Sequence, residues 1–152
     1  MRTEELHALI DACADAVIVR DTEGRIAYWN KGAEAIYGFT SEQAIGKIAH
    51  DLLKTQFTTP LPEVLKQVTQ LGHWTGELQH TRKDGKEVYV LSRWSRRSVQ
   101  SELPDILEVN TNISARKMYE RKMQEINRVM LGNEREILKL RARLAENGIS
   151  QS

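Results

Sequence analysis

Few residues in this chain have the type and spacing for chemistry. Cys13 is the single cysteine. A thiolate there could act as nucleophile or redox group, but it sits before the first strand pattern, where a small buried apolar side chain is expected. One cysteine also excludes an internal disulfide and any multi-cysteine zinc site. His50, His73 and His80 are possible metal or haem ligands, but no two of them share a helix at metal-pair spacing. Each is expected to be a surface or hydrogen-bonded histidine. Glu77 and Asp84 could do acid–base work only with a partner that their spacing does not supply. Ser92 and Ser95 have no neighbouring base, and no glycine-rich phosphate loop or kinase nucleotide-binding signature occurs. Arg93, Arg96 and Arg97 form a small basic cluster, read as a solvated strand edge that discourages strand addition rather than as an anion site. No catalytic constellation results, and the chain is not expected to be an enzyme.

The elements that would carry these residues are organised around residues 72–94, GHWTGELQHTRKDGKEVYVLSRW. Trp74, Gly76, Leu78 and His80 share one face of a first strand. Asp84-Gly85 then supplies the turn, because glycine adopts the positive φ that tight hairpin turns need. Residues 87–95 are rich in β-branched and aromatic side chains, as a half-buried strand requires. Upstream, residues 3–14 read as a short helix with Thr3 as cap, and residues 16–20 and 25–29 as a hairpin. Asn30 is placed to cap a helix over 32–37, which Gly38 stops. Thr40 and Gln43 have capping-box spacing, and residues 47–58 read as short helical or irregular pieces. A helix over 61–71 carries Leu61, Val64, Leu65, Val68 and Leu71 on one stripe and ends at Gly72. Residues 98–104 read as a polar loop and 106–113 as the last strand. The predicted class is α+β, a five-stranded antiparallel sheet with helices on one face, followed by a C-terminal α-helical coiled coil.

Residues 114–147 change character, with no proline and many charges. A continuous helix over 115–146 would be a rod of roughly 48 Å. Tyr119, Met123, Ile126, Met130, Asn133, Ile137, Leu140 and Leu144 alternate four and three apart, the seam of a coiled coil. A narrow apolar seam on such a rod calls for a second copy, so a homodimer is expected. The orientation of the two helices, and whether the helix is unbroken at Gly132-Asn133, stay open. The segments are therefore an N-terminal helix (1–14), a sheet domain (15–114), a coiled-coil helix (115–148) and a disordered tail (149–152).

Composition agrees with one domain and an appendage: 152 residues, 40% hydrophobic and 28% charged. A net charge of +1 gives no electrostatic reason for a nucleic-acid or membrane partner. No apolar run approaches the ~20 residues of a membrane helix. The N-terminus does not read as a secretory signal, and a cytoplasmic protein is expected.

The segments DAVIVRDTEGRIAYWNKGAEAIYGFTSEQAIGK, GHWTGELQHTRKDGKEVYVLSRW and NTNISARK occur in the order and spacing of the PAS sensor domain. Residues 5–117 resemble that family in its S-box form, and the tail resembles the signalling helices that lead to histidine kinase or cyclase outputs. The family's strand-to-helix junction normally reads Asp-Ile-Thr. Here it is Asn112-Ile113-Ser114, so the usual carboxylate is missing while an amide that can still hydrogen-bond remains.

The resemblance implies a signal-sensing and dimerisation module that transmits a change through the coil at Asn112, Ile113, Ser114 and Arg116 to an output domain. It also implies a small apolar cavity, for which Val19, Ile36, Leu52, Leu65, Val68, Trp74, Leu78, Val90 and Val109 are the candidate lining residues. No cofactor is expected. Photoadduct-forming flavin relatives use a helical cysteine, absent from residues 39–54, and haem-binding relatives use a histidine from the long helix, absent from residues 61–71. Non-covalent flavin needs no diagnostic ligand and stays open, as does a ligand-free adaptor.

Overall fold

The computed structural model describes residues 2–97 and 106–148; the loop expected over 98–104 and the tail over 149–152 lie outside the described residues. The chain divides into two compact units, residues 1–114 and 115–152. The first contains α1 (Thr3–Ala12), β1 (Ala16–Arg20), β2 (Ile26–Trp29), α2 (Lys31–Tyr37), α3 (Ser41–Ala44), α4 (Ala49–Leu52), β3 (Gln56–Phe57), α5 (Leu61–Leu71), β4 (His73–Thr81), β5 (Glu87–Arg96) and β6 (Ile106–Asn112). A single helix, α6 (Ser114–Glu146), makes up the described part of the second.

The strands form one antiparallel sheet in the order β2-β1-β6-β5-β4-β3. It has six strands where five are expected. The extra strand, β3, is only two residues long and pairs Gln56 with Gln79 and Phe57 with Leu78. So short a strand has no period of its own and is defined by its partner.

Local signals place the turns and caps. Asn30 Oδ1 accepts from the backbone N–H of Ala33 at 2.8 Å, capping α2. Thr40 and Gln43 make both bonds of a capping box. Gly38 and Gly72 close α2 and α5. Gly85 turns the β4–β5 hairpin at φ +86, and its N–H donates to the Arg82 carbonyl. At the other end of the domain Thr3 is the first helical residue rather than a cap.

One face of the sheet packs under α2 to α5. Ile18, Trp29, Leu78, Val88, Val90 and Trp94 meet Ala33, Ile36, Tyr37, Leu53, Val64 and Val68 in one apolar cluster. Leu71 does not join its stripe and is exposed at the end of α5. The helices are not all on that face, because α1 lies over the other. There Leu6, His7 and Ile10 border an open groove of about 360 Å3 with Val17, Val19, Tyr28 and Leu107. Asn30 ties α1 down, its amide donating to the carbonyls of Ile10 and Asp15. Gly32 packs so closely there that a Cβ would lie 2.1 Å from the Asp15 carbonyl oxygen.

Candidate functional site

Period-two alternation decides which side chains the sheet turns toward α2 to α5. On β1 the inward set is Ala16, Ile18 and Arg20, and on β6 it is Ile106, Glu108 and Asn110. Val19 and Val109, expected to line the interior, face the opposite side. β1 is apolar on both parities, and on β6 Leu107 and Val109 lie on the outward parity while Glu108 and Asn110 lie on the inward one, so apolarity does not mark the inward face. Ile36, Val68, Trp74, Leu78 and Val90 are in the core cluster, and Leu52 and Leu65 pack partly buried against it.

The centre of the inward face is polar. The Arg20 guanidinium lies over the Trp94 ring at 4.0 Å from its centroid, an arrangement that contributes about 2 kcal/mol when desolvated. Its Nε is 4.0 Å from the Glu108 carboxylate and has no hydrogen-bond partner among the described residues. The two therefore form a buried ion pair without a direct hydrogen bond. Burial pushes the Glu108 carboxyl above the usual carboxylate range, with Arg20 opposing the shift. Burial likewise lowers Arg20, which Glu108 and Asp21 oppose.

A chain of hydrogen bonds runs from Trp94. Its Nε1 donates to Ser92 Oγ at 2.8 Å, and Ser92 donates to Asn110 Oδ1 at 2.5 Å. Asn110 Nδ2 donates to the Tyr37 hydroxyl at 3.0 Å, and that hydroxyl is 2.7 Å from His80 Nδ1. Desolvation lowers the His80 pKa to about 3, and burial raises Tyr37 well above its ordinary value. Tyr37 and His80 are thus both neutral and share one hydrogen bond between the hydroxyl and Nδ1. The chain satisfies buried groups and holds the sheet to α2. It presents no nucleophile–base pair.

Arg20, Glu108, His80 and Trp94 border a residual interior cavity of about 10 Å3, no more than one water occupies. The centre of the inward face is thus charged and hydrogen-bonded rather than apolar, and among the described residues a further cavity of about 160 Å3 is bordered by Leu65, Val68, Thr69, Arg96 and Ile106. The members of the polar centre were legible only as the last residue of AVIVR, the Ser of LSRW and the alternating Glu and Asn of ILEVN, polar strand residues that would normally mark a solvated face.

The remaining candidates separate. Cys13, expected to be buried, is exposed at the end of α1 with its thiol 3.5 Å from the Leu9 carbonyl. It follows the last turn, beyond the helix face that packs on the sheet. Arg96 does not guard a sheet edge, because β5 lies between β4 and β6. Its guanidinium donates to the Thr69 carbonyl in the last turn of α5. Among the described residues no group of three or more histidine, cysteine or acidic side chains could hold a metal. No helix among them is long and apolar enough to cross a membrane.

The strand-to-helix junction is bonded to β5 at one residue. Ile113 N–H donates to the Tyr89 carbonyl at 2.8 Å, and Tyr89 N–H donates to Ser114 Oγ at 3.0 Å. Asn112 Oδ1 accepts from Ser114 N–H at 3.0 Å, so the amide caps the start of α6 in place of the missing carboxylate. Arg116 pairs one turn on with Glu120. Along α6 no residue is buried. The seam residues run from 39% exposed at Met123 and Leu144 to 65% at Tyr119, and the helix continues unbroken through Gly132-Asn133.

No curated protein matches this chain. Among solved structures it is similar to a PAS domain from Colwellia psychrerythraea, with 30% identity over 74% of this chain and 97% of that one at a TM-score of 0.62. It is similar also to the PAS domain of an HTR-like protein from Haloarcula marismortui (20% identity, 73% and 91% covered, TM-score 0.60). A PAS domain from a two-component sensor histidine kinase shares the fold (14% identity, 72% and 94% covered, TM-score 0.58). A PAS-domain family profile matches residues 14–102. With this sheet order, α2 to α5 on one face and a helix leaving the last strand, the chain belongs to the PAS domain family of sensor modules.

Proposed function

We propose that this chain is a cytoplasmic sensing and dimerisation module that passes a change in its sheet through α6 to an output domain, without catalysing a reaction. The observation that carries this reading is the pair of hydrogen bonds between the junction and Tyr89: whatever shifts β5 moves Ile113 and Ser114, and with them the first turn of α6. A stimulus biases such a module only through different affinity for two states. The second state is a re-registered or rotated pair of α6 helices, meeting along Tyr119, Met123, Ile126, Met130, Asn133, Ile137, Leu140 and Leu144. An output of the histidine kinase class is consistent with the neighbour of that description.

The small space left beside Arg20, Glu108 and Trp94 favours a stimulus delivered by a bound partner over one delivered by a ligand at that centre. Haem and flavin fit it poorly for the same reason, since either ring would have to displace core side chains. Sedimentation equilibrium on the chain tests the dimer. A homodimer is expected, and Ile126→Glu should give a monomer whose sheet-domain near-ultraviolet spectrum is unchanged. A wild-type monomer at high micromolar concentration would sink the reading.

A further inference from the structure

We propose that the groove between α1 and the sheet binds a single-chain aliphatic carboxylate of about ten carbons, its chain along Val17, Val19 and Leu107 and its carboxylate on Arg97. The inference goes beyond the reading above and does not depend on the homodimer. It assigns a small-molecule site to the face of the sheet opposite α2 to α5.

Strand parity and one irregularity build the groove. Val17 and Val19 of β1 and Leu107 of β6 are outward residues of strands whose other parity faces the core. On β2 the register slips: Val19 pairs with Tyr28 but Arg20 pairs with Ile26, which leaves Ala27 as the extra residue of a bulge. Ala27 and Tyr28 therefore both border the groove, and the small side chain of Ala27 leaves space there. The opposite wall is α1. It is tied down at its C-terminal end, where Asn30 Nδ2 donates to the Ile10 carbonyl and Asp11 Oδ1 accepts from the Lys31 N–H. His7 rests against the Tyr28 ring with 5.7 Å between centroids.

The chemistry of the border selects the occupant. A volume of about 360 Å3 is within the range of small-ligand sites, and most of the residues around it are apolar. Among the described residues on that border Arg97 carries the one fixed charge, and none is acidic. Arg97 comes two residues after Ser95, the partner of Leu107, and so stands at one end of the apolar strip. A half-buried guanidinium offers a planar pair of N–H donors that matches a carboxylate. An aliphatic chain with an anionic end satisfies both parts of the groove. A neutral chain leaves the guanidinium unanswered, and a cationic one opposes it.

Isothermal titration of the full chain with decanoate below its micellar concentration tests the site. One site with a sub-millimolar Kd is expected. Arg97→Gln should weaken decanoate about tenfold and leave decanol unchanged. Ala27→Phe, at an exposed position outside the core, should abolish binding of both by filling the groove, with the near-ultraviolet spectrum of the fold retained. Three results would overturn the proposal: no decanoate binding to the wild type, decyltrimethylammonium binding as tightly as decanoate, or wild-type affinity in Ala27→Phe. Binding to phosphatidylglycerol vesicles without binding to monomeric decanoate would make the groove a membrane contact and would also overturn it. So would an Ala27→Phe variant that loses a wild-type dimer blind to decanoate, since the groove would then belong to a second copy.

Discussion

The Tyr37 hydroxyl stands 2.7 Å from His80 Nδ1, joining α2 to β4 inside the core while Asn110 donates to the same oxygen. Tyr37→Phe would remove the hydroxyl that His80 Nδ1 and Asn110 Nδ2 both bond in the core. A loss of about 1–3 kcal/mol is expected in urea unfolding. An unchanged midpoint would mean that neither group depends on the hydroxyl.

His80 makes stability depend on pH. Its folded pKa is about 3 against an ordinary 6.5, so between those values the unfolded chain binds a proton that the folded chain refuses. Its contribution is complete above the unfolded value and is lost as pH falls toward about 3, at roughly 1.4 kcal/mol per pH unit within that window. Glu108, shifted upward, works in the opposite sense: its contribution is present below its ordinary pKa and lost as pH rises through the folded one. Subtracting the His80→Gln profile from the wild type isolates the histidine. Parallel profiles for the two proteins between pH 4 and 7 would contradict the assignment.

Arg20 and Glu108 should depend on each other more than on being charged. Arg20→Met alone leaves a buried carboxylate and should cost about 3–5 kcal/mol, whereas Arg20→Met with Glu108→Leu should cost less. Denaturant titration of the two single variants and the double gives the coupling directly. Additive losses would show that the 4.0 Å pair carries no interaction.

Two glycines should fail for different reasons. A Cβ at Gly85 meets nothing within 4 Å, so Gly85→Val is opposed by backbone strain at φ +86 alone, on the order of 1–2 kcal/mol. At Gly32 the added Cβ would collide with the Asp15 backbone, so even Gly32→Ala should cost more than Gly85→Val in thermal unfolding. The reverse ranking would place the tight approach elsewhere.

Gly132 sits inside a helix, where it is about 1 kcal/mol less favourable than alanine, and Asn133 lies on the seam. The pair Gly132→Ala, Asn133→Leu should raise helicity by circular dichroism and tighten the dimer, while weakening its choice of register. Lower helicity would mean that the chain has to turn there.

The purified protein should be colourless. Residues 61–71 lack a histidine, residues 39–54 lack a cysteine, and the space beside Arg20, Trp94 and Glu108 is only about 10 Å3. A Soret band or a flavin envelope at full occupancy in the visible spectrum would refute this.

What the sequence determined by itself was local. The Asn30 cap, the Thr40–Gln43 capping box, the stops at Gly38 and Gly72 and the turn at Gly85 each depend on residues within a few positions, so composition and spacing suffice to read them. The seam of α6 is legible for the same reason, since a helix repeats its own period. Only the tertiary structure decided which face of β1 and β6 is inward, because Val17, Val19 and Leu107 border the groove under α1 while the inward parity of β6 carries Glu108 and Asn110. Nor could spacing reveal that Arg20, Ser92, Glu108 and Asn110 meet at the centre of the core. A polar residue in a strand reads as solvated until its partners, distant in sequence and brought together by the pairing of β5, β6 and β1, show that its hydrogen bonds or its charge are answered inside.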